Sequence, residues 1–92
     1  MVHTFEKLEH YIVELLDTFG EYEYEQTGYS MFSNGYANAE YESIDENNVY
    51  FRLEFGIQDP VDGEHHVEQY HISIENLLNS DLSWNEKLRR IK

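Results

Sequence analysis

The chain opens on a helical pattern. Phe5, Leu8, Ile12, Leu15, Leu16 and Phe19 recur at steps of three and four, the period of an amphipathic helix. This predicts a helix over 4–19, with Thr4 as N-cap, Glu6 in the first turn and Gly20 as the stop. Glu9, Glu14 and Asp17 lie off the apolar stripe. From Glu21 the period drops to two. Glu21-Tyr22-Glu23-Tyr24-Glu25 alternates strictly, which predicts a strand with tyrosines on one face and three carboxylates on the other. Gly28 interrupts it, Tyr29–Phe32 either continues it or crosses irregularly, and Ser33-Asn34-Gly35 signals a turn.

Residues 36–44 and 49–57 read as a hairpin. Val49, Phe51, Leu53, Phe55 and Ile57 point inward, and Tyr50, Arg52 and Glu54 outward. A three-residue loop, Glu46-Asn47-Asn48, would pair Asp45 with Val49, Ser43 with Phe51, Tyr41 with Leu53, Ala39 with Phe55 and Ala37 with Ile57. On the outer face, Glu42 then meets Arg52 and Glu40 meets Glu54. Asn48 suits the left-handed position of such a loop. A loop of two or four residues would set Glu40 and Glu42 beside buried Leu53 and Phe51, at high desolvation cost.

A turn over 58–64, punctuated by Pro60 and Gly63, leads to a strand over 65–74. Tyr70, Ile72 and Ile74 share one face and Gln69, His71 and Ser73 the other; Val67 breaks the parity, which predicts a bulge there. Residues 75–79 read as a turn of helix. Ser83-Trp84-Asn85-Glu86 fits a capping box opening a last helix, with Trp84, Leu88 and Ile91 on one side and the C-terminal cations complementing its dipole. The expected fold is a single α+β domain: an N-terminal helix on a three- or four-stranded antiparallel sheet, then one or two short helices. Ala37 and Ala39 leave room for the first helix to approach, and the far face of the sheet stays open.

Charge changes this picture more than composition does. The 92 residues carry nineteen Asp and Glu against six Lys and Arg, a formal charge of −13. Between Leu8 and Glu86 one cation, Arg52, stands against eighteen carboxylates, a net −17. Such a field repels nucleic acid and anionic membrane and attracts basic surfaces. There is no cysteine, so disulfides and thiolate metal sites are excluded. No apolar run approaches the roughly 20 residues of a membrane span. The first residues lack the basic and apolar regions of a signal peptide, so the expected location is cytoplasmic.

The candidate binding groups are two carboxylate rows, Glu21, Glu23 and Glu25 on one strand and Glu40, Glu42 and Glu54 on the hairpin. Asp59, Asp62 and Glu64 in the following loop extend the field. Neighbours on a strand face stand about 6.6 Å apart, roughly twice the rise between phosphates on a nucleic-acid strand. Tyr24, Tyr36 and Tyr50 would add apolar area beside them. A plain solvated face is the competing reading of the same rows. Glu64, His66 and Glu68 on one strand parity, with His65 and His71 on the other, match no tight ligand motif for zinc or manganese. Asp59-x-x-Asp62-Gly63-Glu64 lacks calcium-loop spacing. No nucleophile motif or phosphate loop appears, and no catalytic activity or cofactor is expected. The tail Lys87–Lys92 can cap its helix or pair with the acidic body of a second copy, giving a homodimer.

In size, charge and layout the chain resembles the small acidic inhibitors that phages and mobile elements turn on host nucleic-acid machinery: anti-CRISPR, anti-restriction and some nuclease immunity proteins. The resemblance implies a stoichiometric inhibitor that docks in the basic nucleic-acid channel of a CRISPR effector, nuclease or repressor. The alternatives are an oligomerising or adaptor protein with a generic acidic surface, and a histidine-based metal sensor.

Overall fold

The computed structural model describes residues 2–59 and 61–92, with side chains from Lys7 onward. Helix α1 (Val2–Thr27) lies on an antiparallel sheet of β1 (Gly35–Ile44), β2 (Asn48–Ile57) and β3 (Glu64–Ser73), in that spatial order. Two short helices, α2 (Ile74–Leu78) and α3 (Trp84–Arg89), complete the α+β architecture that the hydrophobic pattern predicts. The core joins Leu15 and Phe19 of α1 to Val49, Phe51 and Leu53 of β2, Ile72 of β3 and Leu77 of α2. Phe19 sets its edge against Phe51 and Tyr70, at centroid distances of 5.2 and 4.9 Å. No helix among the described residues is long and apolar enough to cross a membrane.

The first helix does not stop at Gly20. It runs seven residues further, so Glu21–Glu25 is helical and the predicted strand does not exist. Gly20 is buried against β1, where a Cβ would sit 3.5 Å from the Ala39 nitrogen. It lies in the contact with Ala37 and Ala39, the approach those alanines suggest, with room left for one methyl. The stop is Gly28, whose left-handed φ of 80° ends the helix. Thr27 ties the end down, donating its hydroxyl to the Tyr24 carbonyl (2.9 Å) and accepting from the Tyr29 N–H (3.3 Å). A 3-10 turn, Tyr29–Met31, then leads into β1. Thr4 falls inside α1 and not at its N-cap; its side chain, like those of Phe5 and Glu6, lies outside the described residues, as does the punctuation at Pro60.

The hairpin keeps the predicted faces but not the predicted register. Ala37 pairs with Phe55, Ala39 with Leu53 and Glu40 with Arg52, two positions from expectation. Ile44 pairs with Val49, so the connection is the four-residue loop 45–48, which taken alone would turn Glu40 and Glu42 onto the core. A bulge between Tyr41 and Ser43 absorbs the extra residue and restores the parity. The loop is closed by Asp45, which accepts from the N–H groups of Asn47 (2.8 Å) and Asn48 (2.7 Å) and from the Tyr50 hydroxyl (2.7 Å). Asn48 is not left-handed.

β3 pairs with β2 without interruption, so there is no bulge at Val67. Val67 instead stands half-exposed on the open face, in register with Glu54, because Glu64, His66 and Glu68 take the helix-facing positions with Tyr70 and Ile72. Ser83 caps α3 as expected, its hydroxyl 3.3 Å from the Glu86 N–H and 3.3 Å from the Glu86 carboxylate.

Candidate protein-binding interface

Folding Glu21–Glu25 into α1 separates the two carboxylate rows. Glu40 and Glu54 lie on the open face of the sheet, and Glu21 and Glu25 on the helix layer that covers the opposite face. Positions 14, 17, 21 and 25 repeat at steps of three and four, so Glu14, Asp17, Glu21 and Glu25 share one side of α1. At about 1.5 Å per residue this ridge sets four carboxylates over about 16 Å, a length in which one strand of DNA carries about five phosphates. Glu14 is within 3.0 Å of His10; Asp17, Glu21 and Glu25 are exposed. Glu14 and Asp17 stand off the apolar stripe in the sequence, which is the signal for this ridge, but only the extra helix length joins them to Glu21 and Glu25, and Glu9, also off the stripe, falls on the groove side instead.

Glu23 leaves the row. It is half-buried, and burial first, then the charge of Glu68, push its carboxyl above the ordinary value. Glu68 also accepts the Tyr70 hydroxyl at 2.5 Å, and burial together with that bond pushes the Tyr70 phenol up.

The hairpin row is partly neutralised, one cation against three carboxylates. Arg52 bonds the carboxylate of Glu40 through Nη2 and that of Glu54 through Nε (3.1 Å). These bonds, with the charge of nearby Glu42, hold the guanidinium above its ordinary value. Tyrosine–histidine pairs flank this cluster on the same face. Tyr36 stacks on His65 with its hydroxyl 2.5 Å from Nδ1, and Tyr50 lies 5.8 Å from His71, centroid to centroid. Gly56 runs between Tyr36 and His65 in the ladder, and a Cβ there would meet the Glu64 carbonyl at 1.9 Å. Tyr24 is not beside them; it is half-buried on α1, its hydroxyl 3.4 Å from the Gly35 carbonyl.

The acidic loop is partly structural. Asp59 accepts from the N–H groups of Val61 (2.8 Å) and Asp62 (3.1 Å), which hold its carboxyl below the ordinary range. Glu64 accepts the Tyr29 hydroxyl, which lowers its carboxyl, and lies 3.7 Å from His66. His65 and His71 stand across the sheet from His66, Glu64 and Glu68, and among the described residues no group of three metal-ligating side chains comes together.

Two features lie outside the sequence reading. Lys87 is not part of a free basic tail: it is 3% exposed, donates Nζ to the Leu77 carbonyl (2.8 Å), and sits 4.4 and 4.7 Å from the ring centres of Tyr11 and Trp84. Burial lowers its ammonium, with Glu14 opposing. The second is an open apolar groove of about 350 Å³ along β1, lined by Leu8, Ile12, Val13, Leu16, Tyr41 and Ile44, with Glu9 at its rim.

Comparison of the chain with protein-family models, with curated proteins and with solved structures finds no match.

Proposed function

We propose that this chain is a non-catalytic acidic inhibitor that occupies the basic nucleic-acid-binding surface of a partner protein, acting in the cytoplasm where that partner works. The observation that carries the reading is the α1 ridge of Glu14, Asp17, Glu21 and Glu25. A helix holds these groups in a fixed row, about 5.5 Å apart on average against about 3.4 Å for the phosphates of one strand, and beyond Lys7 no Lys or Arg occurs in α1 to neutralise them. On the sheet, by contrast, Arg52 pairs with Glu40 and Glu54. A partner built to hold a polyanion, such as a nuclease, a repressor or a CRISPR effector, presents the complementary field, and steering by that field favours fast association. The chain's own charge disfavours direct contact with DNA, RNA or anionic membrane.

The test is capture of partners from host lysate at about 50 and about 500 mM NaCl, with and without competing DNA or RNA. The variant carries Asp17→Lys, Glu21→Lys and Glu25→Lys, three exposed positions whose reversal leaves the core untouched. Partner retention is expected to fall about 100-fold at high salt, and to be lost with the competitor or in the variant. Capture indifferent to salt, competitor and charge reversal would overturn the reading. It would favour the adaptor reading, for which the apolar groove beside β1 is the specific support.

A further inference from the structure

We infer that the free edge of β1, with the flank of α1 that overhangs it, takes one added strand from a partner protein: an extended segment in which apolar side chains alternate with Lys or Arg. This goes beyond the ridge on α1 and does not depend on it.

β1 is an edge strand, so half of its N–H and C=O groups have no ladder partner. The opposite edge is partly closed, because the Lys92 N–H donates to the His71 carbonyl of β3 at 2.9 Å. The helix is not centred on the sheet. α1 packs chiefly on β1, and Leu8, Ile12, Val13 and Leu16 on its flank line the open groove with Tyr41 and Ile44 of β1. Val13 is 53% exposed, and with Tyr41 (45%) and Ile44 (41%) it leaves the groove open to solvent. A strand laid on β1 would run about 4.8 Å outside it, beneath this overhang. Every second side chain would then enter the groove among Ile12, Val13, Leu16 and Ile44, which asks for apolar residues at those positions.

The other parity is set by charge. Side chains that point away from the helix come beside Glu42, unpaired at the bulge, and Glu40, on the open face, where Arg52 offsets one of the three charges of Glu40, Glu42 and Glu54; Glu9 closes the helix side. β1 itself contains no Lys or Arg. The edge therefore repels acidic strands, offers neutral ones no charge complement, and complements one with cations at alternate positions. The same argument disfavours a second copy. Pairing β1 with β1 would bring two sets of Glu40 and Glu42 together with no added cation, between chains that each carry −13.

The probe is a fluorescent peptide of about nine residues, a usual strand length, alternating Val and Lys. It is compared with a Ser-for-Val peptide of equal charge and with an alternating peptide N-methylated along its ladder-forming side. Anisotropy measures binding, and amide exchange in the protein maps it. The alternating peptide is expected to bind saturably and to slow exchange in β1. Both control peptides, and the folded variants Val13→Lys and Glu40→Lys/Glu42→Lys, should bind at least about tenfold more weakly. Equal binding of all three peptides, lost only on reversing Asp17, Glu21 and Glu25, would overturn the edge inference while favouring the ridge. A dimer whose β1 amides are already protected without peptide would also overturn it, assigning the edge to a second copy.

Discussion

At the scale of single residues, the contact at Gly20 shows how much room the helix–sheet interface holds. Gly20 is an interior helical residue and so costs about 1 kcal/mol relative to alanine. The nearest atoms to a Cβ there would be the Ala39 nitrogen at 3.5 Å, the Ala39 Cβ at 3.8 Å and the Ala37 carbonyl oxygen at 4.0 Å. These are ordinary contact distances, so one methyl fits and a branched side chain does not. Gly20→Ala is therefore expected to stabilise the protein by about 0.5–1 kcal/mol, raising Tm by several degrees at about 4–8 °C per kcal/mol. Gly20→Leu should instead cost about 1–3 kcal/mol through overpacking. Thermal melts of the two variants check both signs; a lower Tm for Gly20→Ala would mean the interface has no room at all. In the sequence this glycine is ambiguous. A helix stop and a close-approach site both call for the same residue, and only the partner surface, Ala37 and Ala39, separates the two.

At the scale of elements, α3 is held by its one buried cation. Lys87 holds its ammonium over the rings of Tyr11 and Trp84 and donates it to the Leu77 carbonyl, which α2 leaves without a helical partner. Lys87→Ala removes packing and hydrogen bond together and should cost about 2–4 kcal/mol; Lys87→Met keeps the volume and should cost about 1–2, mainly for the unpaired carbonyl. Urea unfolding of both variants checks the order, and equal losses would reduce the role to the hydrogen bond alone. Elements differ in how far they can be read from the sequence. Alternation in β2 is legible because Val49, Phe51 and Leu53 are all buried on one side. The five-residue alternation at Glu21–Glu25 is too short to exclude a helix, in which Glu23 turns toward Glu68 and Tyr24 toward Gly35. The register error has a cause of the same kind. Parity follows from the cost of burying Glu40, but a bulge satisfies parity at a different loop length, and no residue type at Glu42 announces it.

At the scale of the whole molecule, the unbalanced charge should make salt act in opposite directions on folding and on binding. Of the six cations, Arg52 is committed to two glutamates and Lys87 is buried, which leaves Lys7, Arg89, Arg90 and Lys92 against the acidic surface. The body measures 49 × 23 × 20 Å. At about 10 mM salt the screening length is about 30 Å, so each carboxylate feels charges across the full width of the fold; at about 0.1 M it is about 10 Å and only neighbours interact. Self-repulsion among native carboxylates is thus relieved early in a salt titration. Tm is expected to rise by about 4–8 °C between about 10 mM and 0.2 M, roughly 1 kcal/mol, and to level off thereafter. Sodium, potassium and choline chlorides should act alike, because screening needs no specific site. Over the same range, affinity for a basic partner should fall. Reversing Asp17, Glu21 and Glu25 should flatten both curves together, since one field drives them. A Tm independent of salt alongside salt-sensitive binding would separate the two effects. It would then place the binding charge in a local cluster, the α1 ridge alone, and not in the field of the molecule as a whole.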